Sequence, residues 1–183
     1  MSSGFLELIL GPMFSGKTTR LIEIYNKYNR SSKNVCVINY VKDTRYHDNM
    51  LSSHDRKMIP CIFADKLSNI IYNDEVSNAD IILINEGQFF EDISESVKIL
   101  VEIMNKRVYI CGLDGDFKRN SFGTLLNLIP LCDNVTKLHS NCNSCNNEAI
   151  FSHRISDEKE LVVIGSSNYV PLCRTCYNKV NKA

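Results

Sequence analysis

At 183 residues, 44% hydrophobic and 23% charged, the chain has an ordinary globular composition with room for one compact core and a small appendage. Lys+Arg and Asp+Glu both number 21, and the zero formal charge argues against a nucleic-acid binder that works through a broad basic field. No apolar run approaches the roughly 20 residues of a spanning helix, and the opening "MSSGFLELIL" lacks the basic region and small-residue cleavage site of a secretory signal. The expected setting is therefore cytoplasmic, with neither a membrane nor a nucleic acid as partner. There the eight cysteines read as free thiols or metal ligands rather than disulfides.

In chain order, "FLELIL" (5–10) is short, apolar and runs into a glycine loop, as a first core strand does. "VCVIN" (35–39), "ADIILIN" (79–85) and "RVYICGL" (107–113) repeat the pattern. Too short for buried helices and rich in Ile, Val and Leu, they read as strands covered on both faces. "KTTRLIEIYNKYNR" and "DISESVKILVEIMNKR" read as the intervening helices, the second with Ile93, Val97, Leu100, Val101 and Met104 at helical spacing. Residues 42–60 are polar and read as an irregular, mobile surface connection. Such alternation implies an α/β fold of the P-loop NTPase type, a parallel sheet flanked by helices, over residues 1–140. From 141 the texture changes to close cysteine pairs around a hairpin-like "KELVVIGSSNYVPL", which sets apart a small zinc-ribbon-like domain at 141–183.

The loop Gly11-Pro12-Met13-Phe14-Ser15-Gly16-Lys17-Thr18 matches G-x-x-x-x-G-K-[ST] and sits between an apolar strand and a helix. Glycines let backbone N–H groups turn inward around phosphate oxygens, while the helix N-terminus adds unpaired donors and the positive end of its dipole. Lys17 is placed to neutralise β- and γ-phosphate charge, and the Thr18 hydroxyl to hold Mg²⁺. No guanine-reading N-K-x-D element accompanies the loop, since Asn26-Lys27 and Asn178-Lys179 are followed by other residues; ATP with Mg²⁺ is the expected nucleotide. Just past the third strand stands Glu86, where a carboxylate can take a proton from an attacking hydroxyl. Gln88, Phe89 and Phe90 beside it point to a pocket for a flat ring.

Cys142-x-x-Cys145 and Cys173-x-x-Cys176 supply four thiolates for a closed tetrahedral shell, the pattern of a structural Zn²⁺ that staples and does not catalyse. Cys36, Cys61, Cys111 and Cys132 have no such pairing, and the first and third read as small core residues.

"GPMFSGKTT", "KDTRYHDN", "SSHDRK", "NEGQFF", "LDGDFKRNSFG" and "NLIPLCDNVTKL", in that order, resemble thymidine kinases of the zinc-containing class; the likeness runs from about Leu8 to Tyr177. The resemblance implies an ATP-dependent deoxynucleoside kinase that passes the γ-phosphate to the 5′-hydroxyl of thymidine. It implies Glu86 as general base, Arg45 as the cation on the moving phosphoryl group, and Asp43 near the phosphates and metal. Phe117 then packs on the thymine ring, Gln88 pairs with its polar edge, and Met13, Leu113 and Phe122 form apolar walls. Ser152 falls at a base-pocket position; Leu161, Val162, Val163, Ile164 and Gly165 match a lasso loop that offers backbone groups to the base, with Tyr169 helping to hold it shut. A homotetramer and feedback inhibition by thymidine triphosphate (dTTP) are implied in the same way. One position departs from the family. Its motif usually reads Asp-Glu-Gly-Gln or Asp-Glu-Ala-Gln, and Asn85 replaces the aspartate that helps hold the Mg²⁺ hydration shell, so weaker metal retention is expected. The residues by themselves leave room for a P-loop kinase of another deoxynucleoside, a zinc-ribbon nucleic-acid-binding ATPase, or a binding-only relative.

Overall fold

Runs that are hydrophobic at nearly every position cannot face water on either side, and a parallel sheet between helical layers satisfies them. The computed structural model, which describes residues 3–41, 50–52, 57–158, 160–163, 165 and 167–181, has this architecture. Its strands in chain order are β1 (Phe5–Leu10), β2 (Val35–Tyr40), β3 (Met50–Ser52), β4 (Met58–Pro60), β5 (Ile62–Ala64), β6 (Ile81–Ile84), β7 (Arg107–Gly112) and β8 (Asn134–Lys137). The C-terminal part adds β9 (Ser140–Asn141), β10 (Glu148–Ala149), β11 (Phe151–Arg154) and β12 (Tyr169–Leu172). Six of these hydrogen-bond in the order β5-β2-β6-β7-β1-β8, with every neighbouring pair parallel.

The period of two along each strand sorts the core. Leu6, Leu8, Leu10, Ile82, Ile84, Val108 and Ile110 fill one face; Ile9, Ile81, Leu83, Tyr109 and Cys111 fill the other. Helix α1 (Lys17–Asn29) covers the second face with Leu21, Ile22 and Ile24. The short α2 (Asp74–Ser77) and α3 (Ile93–Lys98) cover the first through Val76, Ile93 and Val97. The second predicted helix changes geometry midway: α3 passes into a π-helical turn, Ile99–Ile103, in which the Met104 N–H donates to the Ile99 carbonyl at 2.9 Å. Leu100 stays buried there, while Val101 and Met104 pack at the core margin.

Two sequence expectations change. The segment 42–60 is not wholly irregular, because β3 pairs antiparallel with β4 and sends Leu51 and Ile59 into the core beneath α1. One inward residue per three-residue strand is too little for periodicity to register. The C-terminal hairpin is also placed differently. Its arms are β11 and β12, with Arg154 opposite Tyr169, and the "VVIG" stretch lies in their connection, with no strand among its described residues. Around this hairpin, Cys142, Ala149, Leu172, Cys173 and Tyr177 form a separate small cluster that includes helix α4 (Arg174–Val180). No described helix is long and apolar enough to cross a membrane.

Parallel pairing puts the C-terminal ends of β1, β6 and β7 at one edge of the sheet, where loops can meet. Leu8, in β1, is fully buried. Leu8→Ala should cost about 2–5 kcal/mol of stability, read in urea as a lower midpoint at unchanged slope.

Candidate active site

The loop after β1 is held open by glycines and braced from three sides. A Cβ at Gly11 (φ 153°) would lie 2.5 Å from the Leu138 carbonyl oxygen and 2.8 Å from Ser15 Oγ, so only glycine fits. Gly16 (φ 82°) turns the chain into α1 in the left-handed region. Ser152 Oγ accepts from the Met13 N–H at 2.9 Å, Ser140 Oγ donates to the Phe14 carbonyl at 3.0 Å, and Lys17 Nζ donates to the Pro12 carbonyl at 2.7 Å. From β7 beneath, Cys111 Sγ donates to the Lys17 carbonyl at 3.2 Å.

At the end of β6, Glu86 takes a left-handed backbone conformation (φ 55°), which costs a non-glycine residue about 1–3 kcal/mol. Its Oε2 accepts from Gln88 Nε2 at 2.6 Å, while Gln88 Oε1 accepts from the Leu113 N–H at 3.0 Å. The Gln88 amide therefore ties the carboxylate of one strand end to the backbone of the next.

A cavity of about 320 Å³ opens along this edge, a size suited to a small-molecule ligand. Met13, Phe14, Ser15, Gly16, Lys17, Thr18 and Thr19 line it together with Glu86. Tyr40, Phe89, Leu113, Phe117 and Phe122 give it apolar and aromatic walls, and Ser152, Leu161, Val162, Val163, Gly165 and Tyr169 border it from the C-terminal part. Phe89 stacks on Tyr40 at 5.1 Å and meets Phe122 edge-on at 5.4 Å. Phe117 is set by the turn that follows β7: the Asp116 carboxylate accepts from the Lys118 and Asn120 N–H groups at 2.8 Å each, and Tyr177 Oη donates to the Phe117 carbonyl at 2.6 Å.

The Sγ atoms of Cys142, Cys145, Cys173 and Cys176 all lie within 4.8 Å of one another, a donor set that fits a metal ion. Burial pushes the Cys142 thiol up, but hydrogen bonds from the Cys173 and Ser144 backbones and from Cys145 outweigh it and bring it down to about 6. The neighbouring Cys145 and Cys173 thiols, and then burial, hold Cys176 up at about 12. Cys142 and Cys176 are thus pushed in opposite directions, and a dication held between them would remove that conflict. Burial lifts Cys36 to about 12 and Cys132 to about 11, and it raises buried Cys111 as well, as expected of inert core thiols.

A family model described as thymidine kinase matches residues 4–177. The thymidine kinase of Sheeppox virus (strain KS-1) is 42% identical over 97% of this chain and 98% of its own length. The chain belongs to the thymidine kinase family. The Yaba monkey tumor virus (strain VR587) thymidine kinase is 44% identical over 98% of this chain and 97% of its own length; for the cytosolic thymidine kinase of Cricetulus griseus the figures are 41%, 96% and 74%.

Most of the residues singled out by resemblance to the thymidine kinases converge on this one cavity. Gly11 and Pro12 shape its loop without lining it. Gln88 is not a wall either; it is buried, and both ends of its amide have protein partners. Phe90 is fully buried against Tyr40 and belongs to the core, not to the pocket. Asp43, Arg45 and Ile164 lie outside the described residues. Tyr40, Thr19, Ser52, Gly115 and Asp116 also border the cavity and went unmarked in the sequence. Tyr40 ends a core strand and Asp116 opens "DFKRN", an Asx-type turn, so both carried a readable signal.

Asn85, where thymidine kinases usually carry aspartate, is buried (2% exposed), does not line the cavity, and donates from Nδ2 to Asn39 Oδ1 at 3.0 Å. It is one half of a neutral amide pair that ties β2 to the end of β6. Asn85→Asp would bury a carboxylate whose ionised form is poorly solvated, raising its folded-state pKa above the ordinary value of about 4. The native state then binds the extra proton, so stability falls as pH climbs from about 4 through the folded-state value. The variant should lose about 1–3 kcal/mol at pH 8 and less at pH 5, measured by urea unfolding at both. With a metal loaded on the four cysteines, its removal by a chelator at neutral pH should release the 141–181 region to proteolysis and lower the unfolding midpoint. Metal retention, read by elemental analysis after dialysis, should weaken as protons compete for the thiolates at lower pH.

Proposed function

We propose that this chain transfers the γ-phosphoryl group of ATP to the 5′-hydroxyl of thymidine, giving thymidine monophosphate and ADP. The observation that carries this reading is a single cavity bordered by a glycine loop of the phosphate-binding pattern, the Glu86 carboxylate and an aromatic slot. In it, Lys17 and the loop amides orient the triphosphate, and Glu86, held by Gln88, takes the proton as the 5′-oxygen attacks phosphorus. Phe117, Leu113, Phe122 and Met13 take the thymine ring, while the loop from Leu161 to Gly165 and Tyr169 cover it and exclude water, the competing acceptor. Asp43 and Arg45 complete the reading from outside the described residues, Arg45 as the cation on the transferring group.

Thr18 lines the cavity and offers an oxygen donor of the kind Mg²⁺ prefers. When bound, that ion offsets charge on the β- and γ-phosphates. The four thiolates suit Zn²⁺ in a closed structural site. Residues 1–140 would then bind nucleotide and residues 141–183 cover the base. The same reading includes a cytoplasmic homotetramer inhibited by dTTP, which sedimentation and a dTTP titration of activity would test.

The decisive assay follows labelled γ-phosphate into thymidine and, separately, into deoxycytidine. Thymidine should be the preferred acceptor, and Glu86→Gln should lower kcat by about 10²–10⁴ while ATP binding persists. Wild-type turnover in that variant, or preference for deoxycytidine, would refute the assignment.

A further inference from the structure

The connection between β11 and β12 carries Leu161 and Val162, which border the cavity although they are 51% and 44% exposed. Apolar side chains that open to solvent are not held in place by their own burial. Among the described residues of the connection there is no strand, so no β-ladder holds its backbone. Something else must fix its path.

That group is Arg154, the last residue of β11. It is buried (6% exposed) and lies on the same face of β11 as Ser152, two residues earlier, which braces the phosphate loop. Its Nη1 donates to the Glu158 carbonyl at 3.1 Å and also to the Glu160 carbonyl; Nη2 donates to the Leu161 carbonyl at 2.9 Å and to Tyr169 Oη at 2.5 Å. The guanidinium carbon also sits 3.8 Å from the centroid of the Phe117 ring and 5.1 Å from that of Tyr169. One planar fork thus gathers three carbonyls of the connection and backs the aromatic wall at the same time.

We propose that Arg154 is a positioning residue for nucleoside recognition. It shapes the connection into a base-facing wall and fixes the Phe117 ring by occupying one of its faces, without touching the triphosphate side. This rests on the cavity being a nucleoside site, as proposed above. Lysine cannot replace it, because an ammonium is neither planar nor able to reach three carbonyls while stacked on a ring.

The full chain carrying Arg154→Lys tests this through steady-state kinetics, metal content and cleavage after Glu158 and Glu160 by a glutamate-specific protease. The KM for thymidine should rise on the order of tenfold or more, with the KM for ATP and the metal content unchanged and cleavage faster. An unchanged thymidine KM, or an equal rise in both KM values with loss of metal, would overturn the proposal. Should Arg154→Lys fail to fold, Tyr169→Phe decides. Removing one acceptor of the fork should raise thymidine KM and cleavage rate several-fold, and unchanged values would overturn the assignment. A wild-type chain inactive on thymidine would refute the kinase reading instead, while the cleavage comparison would still report on Arg154.

Discussion

Parallel pairing of β1, β7 and β6 is the constraint on which the rest of the molecule hangs. Leu10 pairs with Gly112 and Ile84 with Ile110, so continuing the register past Ile84 brings Glu86 level with both Gly112 and Leu10. The strand that ends in the carboxylate is not the immediate neighbour of the strand that ends in the glycine loop; β7 stands between them. The carboxylate still meets the loop across one cavity, because β1 and β7 finish level, Glu86 follows the end of β6 by two residues, and Gln88 bridges from Glu86 to the start of the β7 loop. A slip of one residue in any pairing would exchange the two apolar faces and mismatch each with the layer packed on it, so the packing that stabilises the sheet also enforces the alignment of the site.

The C-terminal part is joined to this edge by specific polar contacts. Ser152 holds the Met13 amide, Ser140 holds the Phe14 carbonyl, and Tyr177 holds the Phe117 carbonyl. Tyr177 follows Cys176 directly on α4, whose N-cap is Cys173, so the geometry of the cysteine cluster reaches the aromatic wall through a single hydrogen bond. Such coupling explains in physical terms how the four-cysteine cluster can matter to a site it does not line.

Two departures from local comfort mark the functional edge. Glu86 occupies a backbone region that side chains disfavour. Asn85, its neighbour, has turned inward to another amide, so the strand end carries one negative charge instead of two.

The sequence by itself determined the elements whose signal is local. Hydrophobic runs of uniform character announced the core strands, the glycine spacing announced a tight loop between strand and helix, and paired cysteines announced knuckles of metal-ligand spacing, because each depends on residues close together in the chain. Only the tertiary structure decided what depends on partners far apart. It showed that Gln88 supports the carboxylate from behind the cavity wall, that Phe90 belongs to the core, and that Asn85 answers to Asn39, forty-six positions away. It also turned Arg154 from an unremarked strand residue into the anchor of the loop over the pocket. A side chain's type limits what bonds it can make, but the direction it faces is settled by packing between strands that share no local pattern.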